Sequence, residues 1–305
     1  MMGKTKTIVG LLALVAFSSA CSFSRMASDI TSDIFKAGSP IIEEESDIEV
    51  SEQAGLAMMK TLEVFHRHNP GNKNYLLLLS KSYATYGFGF LENRMLQYRQ
   101  SDPEQYRLYE TRAKLFYTRG KQYALRYLEK KNRGLLEAME KGLEPLRQEL
   151  AGLKQKDVES LFWLALNWGN YINLTKDEVK SVSDLAIVET IMKRITELNP
   201  DFFYGGPNLF YGVYYASRPP MLGGNPEEAK KHFEKAEGAT KGKFLMVYAI
   251  EAQFLAVQMQ DKALFEGLLS KIEDASVDVL PEQRLANVLA KERARLLRSQ
   301  IDSYF

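Results

Sequence analysis

Residues 225–238 read NPEEAKKHFEKAEG. Asn225 before Pro226 sets a capping side chain ahead of a proline at the first helical position, where the missing N–H is not needed. Ala229, Phe233 and Ala236 then recur at steps of four and three, the period of one helix face. Two small residues around one large ring let a neighbouring helix approach and fill the gap between them. This is the pattern of a tetratricopeptide-type helical hairpin.

The same period runs outward in both directions. Tyr109, Ala113, Phe116, Tyr117, Gly120, Tyr123, Ala124, Tyr127 and Leu128 follow it, as do Val158, Leu161, Phe162, Ala165, Trp168, Tyr171 and Ile172. Further sets are Leu185, Val188, Met192, Ile195 and Leu198, then Phe244, Val247, Tyr248, Ala252 and Leu255. No alternating strand run interrupts them. Asp102-Pro103 repeats the cap-then-proline start, and Ser46 to Glu49 and Thr175 to Glu178 fit the capping box. Stops fall at Asn69-Pro70-Gly71 and Asn199-Pro200. The expected fold is all-α, irregular tetratricopeptide-like hairpins stacked as a solenoid, over residues 41–305. A non-repetitive helical bundle is the plainer alternative, because the breaks keep no strict 34-residue period.

The N-terminus gives an address. Lys4 and Lys6 precede an apolar run from Ile8 to Phe17, then Ser-Ser-Ala and Cys21, the only cysteine of the 305 residues. These are the three parts of a secretory signal over residues 1–20, too short for a stable span. Cys21 sits where a bacterial lipoprotein would be cut and acylated, although Ser18 replaces the usual aliphatic residue. Ordinary secretion with an incidental Cys21 is the other reading. The polar stretch up to Pro40 reads as a tether, so residues 21–40 are expected to be the lipidated N-terminus and linker. The expected location is periplasm-facing and lipid-anchored; Ser22 after Cys21 is no retention signal and leans toward the outer membrane.

Forty basic against 39 acidic residues leave a charge of +1, no field for nucleic acid. One cysteine excludes a disulfide framework. His66 and His68 are two apart and point to different helix faces, and His232 stands alone, so no metal-ligand spacing appears. Nucleophile elbow, phosphate loop and Cys/His pair are absent, and no cofactor is expected. Carboxylate pairs leave no local motif, so an envelope hydrolase stays as a minor alternative.

The densest stretch is residues 199–236, where Phe202, Phe203 and Tyr204 precede Gly-Gly-Pro, then Phe210, Tyr211, Tyr214 and Tyr215, then the break Arg218-Pro-Pro-Met-Leu-Gly-Gly224. Together with residues 74–92, NYLLLLSKSYATYGFGFLE, and the Cys21 signal, it resembles the TatT family. These are helical-repeat lipoproteins associated with tripartite ATP-independent periplasmic (TRAP) transporters, and the likeness covers about Ser46 to Ala275. The resemblance implies a non-enzymatic component that forms a ring, a homotrimer, and binds the substrate-binding subunit of the transporter. It also implies openings that pass or hold a small, apolar organic acid. A general tetratricopeptide-like scaffold for envelope assembly is the alternative. Aromatic rings beside stiff turns suit a pocket, and Arg218 suits a carboxylate. The candidate ligand- or partner-binding residues are Phe88, Phe90, Phe202, Phe203, Tyr204, Tyr211, Tyr214, Tyr215, Arg218 and Met221. For each ring, core packing is the competing reading, and for Arg218 a solvated loop. Gly87 and Gly89 beside Phe88 and Phe90 suggest close helix contact or a helix break.

Overall fold

The computed structural model describes residues 24–305, and every regular element among them is helical. Residues 1–23, with the signal and Cys21, lie outside the described residues. Helix α1 covers 24–38, and α2 (Pro40–Glu43) follows at once. Then come α3 (Ile48–His68), α4 (Lys73–Tyr86) and α5 (Glu92–Tyr98). The long α6 (Pro103–Lys131) leads to the short pair α7 (Arg133–Lys141) and α8 (Leu143–Ala151). The aromatic centre is α9 (Val158–Asn173), α10 (Val179–Leu198), α11 (Phe202–Ala216) and α12 (Pro226–Thr240). The chain ends with α13 (Met246–Glu251), α14 (Val257–Met259), α15 (Lys262–Asp274) and α16 (Arg284–Arg298). Two widened π turns, Gly87–Leu91 and Ala252–Ala256, join α4 to α5 and α13 to α14 into continuous rods.

The cap-then-proline starts form as expected. The Asp102 carboxylate accepts from the N–H groups of Glu104 and Gln105 at 3.0 Å each, and Asn225 does the same for Glu227 and Glu228. Both stops also hold, with α3 ending at His68 and α10 at Leu198. The two capping boxes do not form. α3 is capped one residue later by Asp47, whose carboxylate accepts from the N–H groups of Glu49 and Val50 and adds a negative charge at the positive end of the helix. Before α10 the Thr175 hydroxyl pairs instead with Ser181 at 2.6 Å and the Tyr171 carbonyl at 2.8 Å.

Successive helices pack as hairpins: α3 on α4, α4 on α6, α6 on α9, α9 on α10 and α11 on α12. Ala229, Phe233 and Ala236 are fully buried, as the opening stretch requires. The stack then closes. α16 returns to the rod α4–α5, where the Asn93 amide donates to the Leu289 carbonyl at 3.2 Å and Gln300 donates to Leu96 at 2.6 Å.

The expected linker is structured from residue 24 onward. α1 docks through its polar face. Ser28 and Ser32 are buried, and the Asp29 carboxylate accepts from Asn69 at 2.9 Å and Asn72 at 2.7 Å. Asn74 donates to Asp33 at 2.8 Å, and Tyr75 donates to the Ser28 carbonyl at 2.6 Å. Small polar residues looked like a flexible tether because their partners lie about 40 positions away.

Candidate functional site

A cavity of about 600 Å³ runs through the middle of the fold. Its walls come from α1, α2, α3, the rod α4–α5, α9, α10, α11, the rod α13–α14 and α16. The lining is dominated by Met, Leu, Ile and Phe side chains, with a few polar groups between them. That volume and polarity match small-molecule sites in general.

The sequence motifs shape two of the walls. The first is the π turn Gly87–Leu91, where a widened helix turn brings Phe88, Gly89 and Phe90 to the cavity. A Cβ on Gly87 would meet the Tyr117 ring at 2.8 Å, and one on Gly89 would meet Leu289 at 2.8 Å. Close helix contact is therefore the reason for both glycines. Beneath this turn Arg293, 1% exposed, donates to the Phe88 carbonyl at 2.8 Å, Asn93 at 2.8 Å and Gln253 at 3.2 Å. Its guanidinium also lies 4.1 Å from the Phe88 ring centre. One side chain thereby ties both π-turn rods together. Glu92 accepts from the Tyr117 hydroxyl and lies 4.0 Å from Arg293. Burial pushes its carboxyl above the usual value, against the pull of Arg293.

The second wall starts with a left-handed turn. Phe203 (φ 47°), Tyr204 (φ 59°) and Gly205 (φ 83°) are all left-handed before the right-handed turns of α11 begin. Bulky residues there cost roughly 1–2 kcal/mol each. The turn lays Phe203 against Trp163, 4.8 Å between ring centres, and on the cavity. At the other end of α11, Arg218 stacks on Tyr214, 3.4 Å from the ring centre. Its Nε donates to the Tyr214 carbonyl at 2.9 Å and Nη2 reaches the Gly223 carbonyl at 3.5 Å, which leaves Nη1 without a hydrogen-bond partner among the described residues.

Five of the ten expected residues line the cavity: Phe88, Phe90, Phe203, Tyr214 and Arg218. The other five sit elsewhere. Phe202 packs edge-on against Phe162, and Tyr204 stacks on Phe244. Tyr211 and Tyr215 stack on His232, with the Tyr211 hydroxyl donating to Glu189 at 3.2 Å. Burial first, then the Glu189 carboxylate, pushes the Tyr211 hydroxyl well above its usual value. Met221 is 96% exposed and Leu222 reaches the cavity in its place. Sequence reasoning missed Lys81, Lys176 and Glu92. Lys81 pairs with Glu43 at the α2 side. Lys176 stands at the rim, 5.9 Å from the Phe254 ring centre, and desolvation holds its ammonium below the usual lysine value. Lys81 and Glu92 lie within the 74–92 stretch, where the rings and glycines drew the reading, and Lys176 sat inside a stretch read as a helix start.

A family model for the TRAP transporter T-component matches residues 44–305. The chain belongs to this family. The matched span takes in both aromatic motifs and extends past Ala275 through α16. An uncharacterized protein of Treponema pallidum (strain Nichols) is 23% identical over 266 residues, covering 87% of this chain and 82% of that protein. This T-component is thus associated with a transporter by family. No helix among its described residues is long and apolar enough to cross a membrane. Those residues also hold no group of three His, Cys, Asp or Glu side chains placed to bind a metal ion.

Proposed function

We propose that this T-component is a periplasm-facing lipoprotein that binds the substrate-binding subunit of a TRAP transporter and holds a small apolar organic acid. The cavity of about 600 Å³ carries the proposal, because its walls suit an apolar body and exclude a strongly hydrated solute. Arg218 supports the acid. Its stacked, two-point-anchored guanidinium keeps Nη1 free for a carboxylate at the cavity edge, and Lys176 adds a second cation at the rim. Phe88, Phe90, Phe203 and Tyr214 line the path of the apolar body. Of the other expected residues, only Met221, 96% exposed, is open to a partner; Phe202, Tyr204, Tyr211 and Tyr215 pack inside the fold and carry no contact in the proposal. The lipid would sit on Cys21, and the assembly would be a homotrimer in the outer membrane.

The test has two arms. Denaturing extraction of the purified protein, with mass spectrometry of the extract, reads the ligand. A monocarboxylic acid with an apolar body is expected, and its recovery should drop at least tenfold in Arg218→Gln. An empty cavity, or a ligand retained by Arg218→Gln, would overturn the acid reading. Capture from envelope extracts reads the partner. A periplasmic substrate-binding protein is expected, whereas outer-membrane assembly proteins would favour the general scaffold.

A further inference from the structure

α1 is oriented against the usual rule. A surface helix normally buries its apolar stripe and shows its polar face to water. Here the buried positions are Ser28 and Ser32, tied down through Asn69, Asn72, Asn74 and Tyr75. Met26, Ile30 and Ile34 recur at four-residue steps on the opposite side and are 54%, 55% and 65% exposed. Ile41 in α2 extends the patch at 71% exposed. Four large aliphatic residues in 16 positions, all turned outward from a helix held by Ser28, Ser32 and its aspartates on one side and by Phe35 against Phe65, 5.4 Å between ring centres, form a face that asks for an apolar cover.

We infer that this face of α1 lies in a lipid surface, with Met26, Ile30, Ile34 and Ile41 inserted at the headgroup–acyl boundary. Three observations choose lipid as the occupant. The stripe starts at Met26, five residues after Cys21, the proposed lipid site, so a chain anchored there brings the stripe to the surface within a few residues. The stripe itself, Met26, Ile30, Ile34 and Ile41, carries no charged residue at its own positions, so its insertion leaves no charge to desolvate. The acidic residues between them, Asp29 and Asp33, are turned to asparagine amides of the body. A stripe of this size contributes a shallow contact and sets orientation, as amphipathic helices in the interface plane do. The orientation has a consequence for the cavity. Phe35 and Ile42, on the inner side of the same segment, line it, so its α1–α2 end would be turned toward the bilayer.

The test couples the full chain through its single thiol, Cys21, to maleimide-bearing lipid in phosphatidylethanolamine–phosphatidylglycerol vesicles. This holds the chain at the surface whether or not cells acylate it. A tryptophan is placed at Ile34 (Ile34→Trp) or at Val179 (Val179→Trp), two exposed positions on different elements. Brominated phospholipid should quench the added Ile34→Trp fluorescence at least twofold more than that of Val179→Trp, after subtraction of the signal from buried Trp163 and Trp168. Equal quenching at both positions would overturn the inference. So would a second copy on the stripe, seen in sedimentation without vesicles as an oligomer that Ile30→Asp with Ile34→Asp dissolves.

Discussion

Arg293 and Glu251 are the two charged residues whose burial says most. Arg293 is enclosed, and its four partners come from residues 88, 92, 93 and 253. Arg293→Met would leave the Glu92 carboxylate without its cation and the Phe88 carbonyl without its donor. A loss of about 3–5 kcal/mol in urea unfolding is expected. Replacing both partners (Arg293→Met with Glu92→Gln) should cost less than the single change, because no lone buried charge remains. Glu251 is pushed up to about 7 by burial first and by the Glu237 carboxylate next, with Lys271 pulling the other way. The folded state therefore holds this proton more tightly than the unfolded chain does. Its contribution is present at low pH and is lost as pH rises from about 4.5 to about 7, a change of at most about 3 kcal/mol. Thermal melts of wild type against Glu251→Gln should differ in slope across that window and run parallel above it.

At the scale of elements, α1 shows why composition misled. Its residues are polar and small, which fits a linker, and nothing local reveals that Asn69, Asn72 and Asn74 wait for them. Asp29→Ala removes the shared acceptor of two amides, each worth about 1 kcal/mol or more in place. Protease cleavage within 24–38 should then speed up by roughly an order of magnitude, while the melting temperature of the body changes little. The helix starts divide along the same line. Asp102 and Asn225 were legible because an Asx side chain before a proline has one geometry available. Ser46 and Thr175 were not, because Asp47 caps α3 in place of Ser46 and the Thr175 hydroxyl is taken by Tyr171 and Ser181.

At the scale of the molecule, the cavity is the property that no single element contains. Filling it should trade binding for stability. Val213→Trp, directed into the lining, should raise urea resistance by about 0.5–2 kcal/mol and abolish retention of any apolar ligand. Unchanged ligand recovery in that variant would place the ligand elsewhere. Of the expected rings, those on the cavity and those in the core alternate along α11, with Tyr214 lining it and Tyr211 and Tyr215 turned to His232. A dense aromatic run marks a place where helices crowd. Which rings face space depends on the rotation of α11, and that is set by the left-handed turn at Phe203–Gly205 and by the packing of Phe233 beneath it.

The sequence by itself determined the helical class, most helix boundaries, the buried Ala229–Phe233–Ala236 face and the two motifs that carry the family likeness. These are local properties: a 3.6-residue period and a cap before proline are written within a few residues of where they act. Only the tertiary structure decided that α1 docks by its polar face, that Arg293 joins two π turns and that Lys176 stands at a cavity rim. Each depends on groups 40 to 200 positions apart meeting with particular rotations, and burial free energy summed over the whole core, rather than any local preference, selects those rotations.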